Sequence, residues 1–211
     1  MSHYTNSGTK DLDVLKNNIN QIVKEVNNYL QKRLEFESNI WGLSKNLKII
    51  DLFSSSAQSQ QTQDITKEFQ SVWTKAIRKV LSSFLRNSNF NEGAYFDIVL
   101  DNEEYEIKTS CAYWTKEWAG NKYSANKVGK HILIKYKVGD YGITELGFYI
   151  VDLHQCSKTK WVNTEADTTS FSALKIHAED IDKVTCLIGE VVKRKSARFW
   201  ATPILGEILV D

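Results

Sequence analysis

The chain has 211 residues, of which 42% are hydrophobic, and this suffices for one globular domain and argues against global disorder. The 27 basic and 26 acidic side chains leave a net charge of only +1, so the chain lacks the strong positive excess of many nucleic-acid-binding proteins. Any binding of phosphate must therefore come from local basic clusters. No apolar run approaches the roughly 18 residues that a membrane helix needs.

The N-terminus and the cysteines bear on the cellular compartment. The opening residues, MSHYTNSGTKDLD, contain no basic segment followed by an apolar one, which predicts that a secretory signal is absent. Cys111, Cys156 and Cys186 are widely spaced and odd in number, which disfavours a disulfide framework or a zinc knuckle. These features together predict a cytoplasmic location.

Two stretches carry apolar residues at helical spacing, from about Leu12 to Leu34 and from Asp64 to Leu85. We expect the first helix to pack on the core with its apolar stripe, although a helix at a dimer interface is an alternative. The polar segment between the helices, Ser54 to Asp64, is predicted to be a loop. Its glutamines could alternatively reach into a DNA groove, since amides both donate and accept hydrogen bonds.

After these helices the apolar period changes to two, which is typical of strands. Strands are predicted at Ala94–Leu100, Tyr105–Ser110, His131–Val138, Glu145–Leu153 and Val184–Val192. Helices followed mostly by strands predict an α/β (α+β) fold with a central mixed β-sheet flanked by helices. We expect a single domain over residues 1–211, with an N-terminal helical region and polar loop at 1–62, a core at 63–153 and C-terminal strands with a basic segment at 154–211.

The stretch YFDIVLDNEEYEIKTS, residues 95–110, reads as strand, tight turn and strand. If Asp101 and Asn102 form a two-residue turn, Asp97 lies opposite Glu106. Because side chains alternate between the faces of a strand, Asp97, Glu106 and Lys108 then share one face. The apolar residues of the two strands share the other face: Phe96, Ile98, Tyr105 and Ile107.

Two carboxylates that face each other across a hairpin repel and destabilise it. A bound Mg²⁺ ion removes that repulsion, because it prefers oxygen ligands and commonly uses one or two carboxylates. A neighbouring lysine can stabilise developing negative charge or orient a water molecule. The pattern therefore indicates a site for phosphodiester hydrolysis, with ordinary solvated strand charges as the alternative.

These residues resemble a known motif. Phe96–Asp97 followed by Glu106–Lys108, "FD" and "EIK", resembles the PD-(D/E)XK nuclease superfamily, and in particular the small type II restriction endonucleases. Phe96 stands where the family usually has proline. The resemblance covers roughly residues 64–153 and implies that Asp97, Glu106 and Lys108 are catalytic. It also implies that Asp97, Glu106 and the Ile107 carbonyl bind Mg²⁺.

The same resemblance carries further expectations. It implies a restriction-endonuclease-like core and a homodimer that cuts both strands of double-stranded DNA, leaving 5′-phosphate ends. Members of the family often carry another acid on the helix before the hairpin, and Glu68 is the candidate for that catalytic role here. The alternatives are a DNA repair or junction-resolving nuclease, and a non-catalytic DNA-binding module.

Two segments are candidate DNA-binding regions. The first follows the hairpin and interleaves lysines with amides, a hydroxyl and aromatic residues, and the second is the densest basic run of the chain. Lysine and arginine are suited to phosphates and asparagine to adenine, although both segments could instead be solvated surface. The candidate contacts are Lys116, Asn121, Lys122, Ser124, Asn126, Lys127 and Lys130 in the first segment, and Lys193, Arg194, Lys195 and Arg198 in the second.

The histidines do not indicate a zinc site. His131, His154 and His177 are dispersed, with no i,i+4 pair and no HExxH sequence. We therefore expect them to have structural roles.

Overall fold

The computed structural model describes residues 10–41, 47–54, 60–85, 96–111, 118–121, 129–163, 171–193 and 199–208. Its helices come first in the chain and its strands follow. The helices are α1 Asp11–Asn17, α2 Ile19–Trp41, α3 Ile49–Ser54 and α4 Gln60–Ser82. The strands are β1 Ile98–Leu100, β2 Glu103–Cys111, β3 Trp118–Asn121, β4 Lys130–Val138, β5 Ile143–Asp152, β6 Lys160–Asn163, β7 Phe171–Lys175, β8 Val184–Ile188, β9 Glu190–Lys193, β10 Ala201–Ile204 and β11 Gly206–Glu207.

The first predicted helix is present but is divided into α1 and α2 at Asn18. The Asn18 side chain donates a hydrogen bond of 2.8 Å to the Val14 carbonyl, so the amide competes with the backbone pattern of a continuing helix. The predicted apolar stripe is buried between its two ends, and Leu12 and Leu34 at the ends are partly buried against the same core, which confirms that this helix packs on the core. Its buried residues are Leu15, Ile19, Ile22, Val23, Val26 and Leu30.

The prediction of a loop from Ser54 to Asp64 is wrong at its C-terminal end, because α4 already begins at Gln60. The segment is rich in glutamine, which is a good helix former, and this favours extending the amphipathic helix backwards. The structure also contains the short helix α3, which the apolar spacing did not predict. The buried face of α4 includes Phe69, Trp73 and Ile77.

The central sheet has the order β1-β2-β4-β5-β11, and β8 also pairs with β5. Strands β2 and β4 are parallel, and the other pairs in this sheet are antiparallel. The helices pack on one face of this sheet, where the main hydrophobic core lies. The predicted class, a mixed central sheet flanked by helices, is therefore confirmed.

A second, three-stranded sheet of order β3-β7-β6 contributes to a smaller hydrophobic cluster on the other face of the central sheet. Trp118 of β3 is buried in this cluster, and its indole N–H donates to the Ile134 carbonyl at 3.0 Å. This tryptophan therefore packs inside the protein. The face of the hairpin that carries Glu106 and Lys108 is largely buried, with 14% and 8% of these side chains exposed.

The predicted strand Val184–Val192 is interrupted at Gly189, which separates β8 from β9. Gly189 has φ of +77°, and a Cβ atom at this position would lie 2.3 Å from the Ile204 carbonyl oxygen. Only glycine fits this backbone without strain. Among the described residues, no helix is long and apolar enough to cross a membrane.

Candidate active site

The hairpin turn has the predicted register. Asp101 and Asn102 have φ of 51° and 63°, as a type I′ turn requires, and aspartate and asparagine tolerate this left-handed conformation. Ile98 pairs with Tyr105 and Leu100 pairs with Glu103, which is the predicted pairing of the two strands. The candidate site is therefore built on a hairpin with a two-residue turn.

Regular pairing of β1 with β2 ends at Ile98, just before the candidate aspartate. The Asp97 N–H donates to the Tyr105 carbonyl at 2.9 Å, although Tyr105 already pairs with Ile98. The Asp97 side chain turns back to the strand, and its Oδ2 accepts the Ile107 N–H at 2.7 Å. Asp97 thus contacts β2 through its side chain, next to the carbonyl that the resemblance assigns to the metal.

Glu106 and Lys108 lie together on the face opposite Ile107. Lys108 Nζ is 2.5 Å from Glu106 Oε1, and only 8% and 14% of the two side chains are exposed. Ile98 and Ile107 are fully buried against the helices, so the predicted division into an apolar and a charged face is confirmed for the strand residues. Phe96 and Asp97 precede β1, and the pairing predicted for them, with Ile107 and Glu106, is not formed. The pairing of Lys108 with Glu106 in a buried setting is a stronger contact than a solvated strand charge would make.

The carboxyl of Asp97 is electrostatically strained. Burial raises the pKa of Asp97, and the nearby Glu106 carboxylate raises it further. The Ile107 N–H, the Lys108 ammonium and the Arg78 guanidinium act in the opposite direction but do not compensate fully. The raised pKa therefore reflects mainly the cost of burying the Asp97 carboxylate, and a bound cation would lower that cost.

The helix α4 holds the hairpin from the side through two polar side chains. Arg78 donates to the Asp97 carbonyl from Nε at 3.3 Å and from Nη2 at 2.7 Å. Gln70 Nε2 donates to the Ile107 carbonyl at 3.1 Å. Neither residue was among the sequence candidates, since the apolar spacing of α4 does not reveal which polar residue meets the hairpin edge.

Glu68 lies on α4, as expected, but its described contacts are with α2. Its carboxylate accepts a hydrogen bond from the Tyr29 hydroxyl and lies 3.7 Å from Arg33 Nη1. The α4 side chain that reaches the carbonyl of the EIK segment is Gln70. The structure therefore does not bring Glu68 together with Asp97 through any described contact.

His131 is a neighbour of the site that sequence reasoning treated only as a structural residue. It pairs with Glu106 in the parallel register of β2 and β4, so the two side chains share a face. Its Nδ1 lies 3.1 Å from the Gly129 carbonyl, and Trp161 Nε1 lies 3.4 Å from its Nε2. Burial, together with a smaller effect of the Lys108 ammonium, lowers the pKa of His131 to about 4, and the contact with the Gly129 carbonyl acts in the opposite direction. The imidazole is neutral at pH 7, with its proton on Nδ1.

The candidate DNA contacts are only partly within the described residues. Lys130 begins β4 and forms an ion pair of 3.0 Å with Glu103. Lys193 is exposed at the end of β9, and Asn121 ends β3. Outside the described residues lie Lys116, Lys122, Ser124, Asn126, Lys127, Arg194, Lys195 and Arg198.

The donor set fits a hard divalent cation. Among the described residues, no three or more His, Cys, Asp or Glu side chains lie close enough together to hold a metal. A metal at this point would therefore have two side-chain ligands and one backbone ligand from the protein. Asp97 and Glu106 supply two carboxylates, and the Ile107 carbonyl adds a neutral oxygen beside Asp97. Mg²⁺ commonly takes one or two protein carboxylates and completes its shell with water and phosphate oxygens.

No protein-family model matches this sequence, and no curated protein is significantly similar to it. The functional argument therefore depends on the geometry of the hairpin and on the chemistry of its side chains.

Proposed function

We propose that this chain is a Mg²⁺-dependent, sequence-specific endonuclease of the type II restriction class that hydrolyses double-stranded DNA. The observation that carries the proposal is the cluster at the end of the β1–β2 ladder. There the Asp97 carboxylate accepts the Ile107 N–H at 2.7 Å, and the buried Lys108 ammonium is 2.5 Å from Glu106. Burial, and to a lesser degree the Glu106 carboxylate, raises the pKa of Asp97. A cation and a phosphate would balance these charges.

The proposed ligands of Mg²⁺ are Asp97, Glu106 and the Ile107 carbonyl. When bound there, the ion supplies Lewis acidity at a phosphoryl oxygen. Arg78 supports this arrangement from α4 by holding the carbonyl of Asp97 at 2.7 Å. The hairpin therefore offers a preformed set of oxygens, which is the arrangement that catalysis at phosphate favours.

Lys108 has three N–H donors, and Glu106 orients them by accepting one. The others are available in the proposed complex for a phosphate oxygen and for the attacking water. The water adds a hydroxyl group to phosphorus and a proton to the leaving 3′ oxygen. The bond between phosphorus and that oxygen breaks, which leaves a 5′-phosphate and a 3′-hydroxyl.

A homodimer is part of the proposal, because two active sites related by a two-fold axis match a palindromic site and cut both strands. The proposed location is the cytoplasm. All three cysteines are free, which suits a reducing compartment.

The proposal is tested with three single variants, Asp97→Asn, Glu106→Gln and Lys108→Met, in the presence and absence of Mg²⁺. We expect each to lower the rate of DNA cleavage by at least about 100-fold, which is the usual effect of removing one electrostatic or acid–base contribution. Wild-type cleavage should stop when EDTA removes the metal. Duplex binding in Ca²⁺ should remain within a few-fold of wild type.

Lys137→Met is the matched control. Lys137 also forms a lysine–glutamate ion pair on the central sheet, 2.7 Å to Glu145, which joins β4 to β5 and is more exposed than the Lys108–Glu106 pair. This variant should cleave at the wild-type rate. Equal losses in Lys108→Met and Lys137→Met would contradict the assignment, and a preference for four-way junctions over linear duplex would favour a junction-resolving nuclease instead.

A further inference from the structure

The backbone N–H and C=O of Ile107 form hydrogen bonds with side chains and not with the backbone of β1. In an antiparallel ladder, the N–H and C=O of one residue point to the same side and bond to the same partner strand. Continued pairing would place Phe96 opposite Ile107, but regular pairing ends at Ile98. The Ile107 N–H instead donates to Asp97 Oδ2 at 2.7 Å, and its carbonyl accepts from Gln70 Nε2 at 3.1 Å.

The consequence is that the Ile107 carbonyl and the Asp97 carboxylate lie on the same side of β2. A carbonyl oxygen has two lone pairs, and the Gln70 amide uses one of them. The second lone pair can bind a metal ion or another hydrogen-bond donor on that side of β2. A hydrogen bond from a fixed donor limits the rotation of the peptide plane and so sets the direction of the second lone pair.

Gln70 is well placed to act as a fixed donor. It follows Phe69 and precedes Val72 and Trp73, all of which are buried in the core. The amide therefore extends from a helix that is anchored to the sheet, and sites built on such elements are more precise than sites on loops.

We propose that Gln70 is a positioning residue that aims the Ile107 carbonyl at the divalent cation held by Asp97 and Glu106. This inference rests on the proposed function, since it concerns the same metal site. Gln70 does not touch the cation or the DNA. It acts through the carbonyl, in the way that hydrogen bonds to metal ligands commonly tune affinity.

The test uses Mn²⁺ alone as the probe, because its free concentration is measured by electron paramagnetic resonance without any cleavage assay. Gln70→Met keeps the length and helix preference of the side chain but removes the donor. We expect Gln70→Met to bind Mn²⁺ on the order of ten-fold more weakly than wild type. Asp97→Asn should weaken the same binding at least as much, which identifies the site.

Gln31→Met is the matched control. Gln31 also lies on a long helix, α2, and its Nε2 donates to a backbone carbonyl, that of Tyr141, at the same distance of 3.1 Å. It should bind Mn²⁺ as the wild type does. Thermal unfolding in EDTA measures the loss of the hydrogen bond itself. The rise in melting temperature on adding Mn²⁺ should shrink in Gln70→Met and stay unchanged in Gln31→Met.

The outcomes separate this inference from the proposed function. Tight Mn²⁺ binding that Asp97→Asn weakens but Gln70→Met leaves unchanged would overturn the role of Gln70 and keep the metal site. Failure of the wild type to bind Mn²⁺ would overturn both. Equal weakening by Gln70→Met and Gln31→Met would also contradict positioning, because it would reflect a general loss of stability.

Discussion

Among the single residues, His131 gives the clearest pH signature. Its ring is 1% exposed and lies between the Gly129 carbonyl and the Trp161 indole, so the neutral form fits the site and the protonated form does not. The pKa of a histidine in the unfolded chain is about 6.5, whereas burial lowers that of His131 to about 4. Between these two pKa values, His131 is therefore protonated in the unfolded state and neutral in the folded state.

The sign of the pH dependence follows from this difference. Above pH 6.5 the imidazole is neutral in both states, and His131 adds no pH dependence. Between about pH 6.5 and 4 only the unfolded state gains the proton, so the free energy of unfolding falls by up to about 3 kcal/mol. Urea denaturation of wild type and His131→Phe should show a difference between the two proteins that changes over this range. A difference that is equal at pH 7 and pH 4.5 would exclude the role of His131.

The sequence predicted some of the side-chain contacts at the candidate site and not others, as Lys108, Gln70 and Glu68 illustrate. Alternation along β2 placed Lys108 beside Glu106, and the structure confirms that contact. The alternation of side chains along β2 does not predict that Lys108 and Glu106 are largely buried, because the residues that bury them are distant in sequence. The spacing of α4 did not distinguish Glu68 from Gln70 as the residue that meets the hairpin, since that depends on how the helix is rotated against the sheet.

At the scale of elements, the β1–β2 turn joins the candidate site to the start of the helical layer. Asp101 Oδ1 accepts the Asp11 N–H of α1 at 2.8 Å, and the Asp101 N–H donates in return to Asp11 Oδ2 at 2.7 Å. A carboxylate near exposed N–H groups at a helix start is a stabilising arrangement. The turn therefore does more than reverse the chain, because it also fixes α1.

Two glycine substitutions in the turn separate the contribution of the turn's backbone conformation from that of its hydrogen bond to α1. Asp101→Gly and Asn102→Gly both place glycine where φ is positive, at 51° and 63° in the native turn, so both tolerate the backbone conformation. Only Asp101→Gly removes the carboxylate that bonds to α1. We expect it to lower the free energy of unfolding by about 1–2 kcal/mol relative to Asn102→Gly. Equal stabilities in chemical denaturation would show that this contact contributes nothing.

The elements that the sequence predicted well are those with a long periodic pattern. The stripe of α2 and the alternating strands of the central sheet bury many apolar residues at regular spacing, and burial is the strongest constraint on a chain. Strands β6 and β7 have only four and five residues, and their pairing is fixed by contacts distant in sequence. Local pattern alone does not specify such strands, so the second sheet was not predicted.

At the scale of the whole molecule, the near-neutral charge requires that proposed DNA binding be local. The net charge is +1, and the proposed contacts lie mainly in residues 112–128 and 194–198. Lys130 is already paired with Glu103 at 3.0 Å, so its contribution to phosphate binding would require that pair to open. In the proposal the central sheet carries the catalytic cluster, and the specificity of the enzyme depends on residues 112–128 and 194–198.

We propose that the cluster of Asp97, Glu106 and Lys108 cuts duplex DNA at defined sites. The most direct measurement is to incubate the purified full chain and Mg²⁺ with a long DNA of known sequence, beside Asp97→Asn and an EDTA control. We predict discrete fragments with 5′-phosphate ends from the wild type only. DNA that stays intact with the wild-type chain across a range of Mg²⁺ and salt concentrations would contradict the proposal.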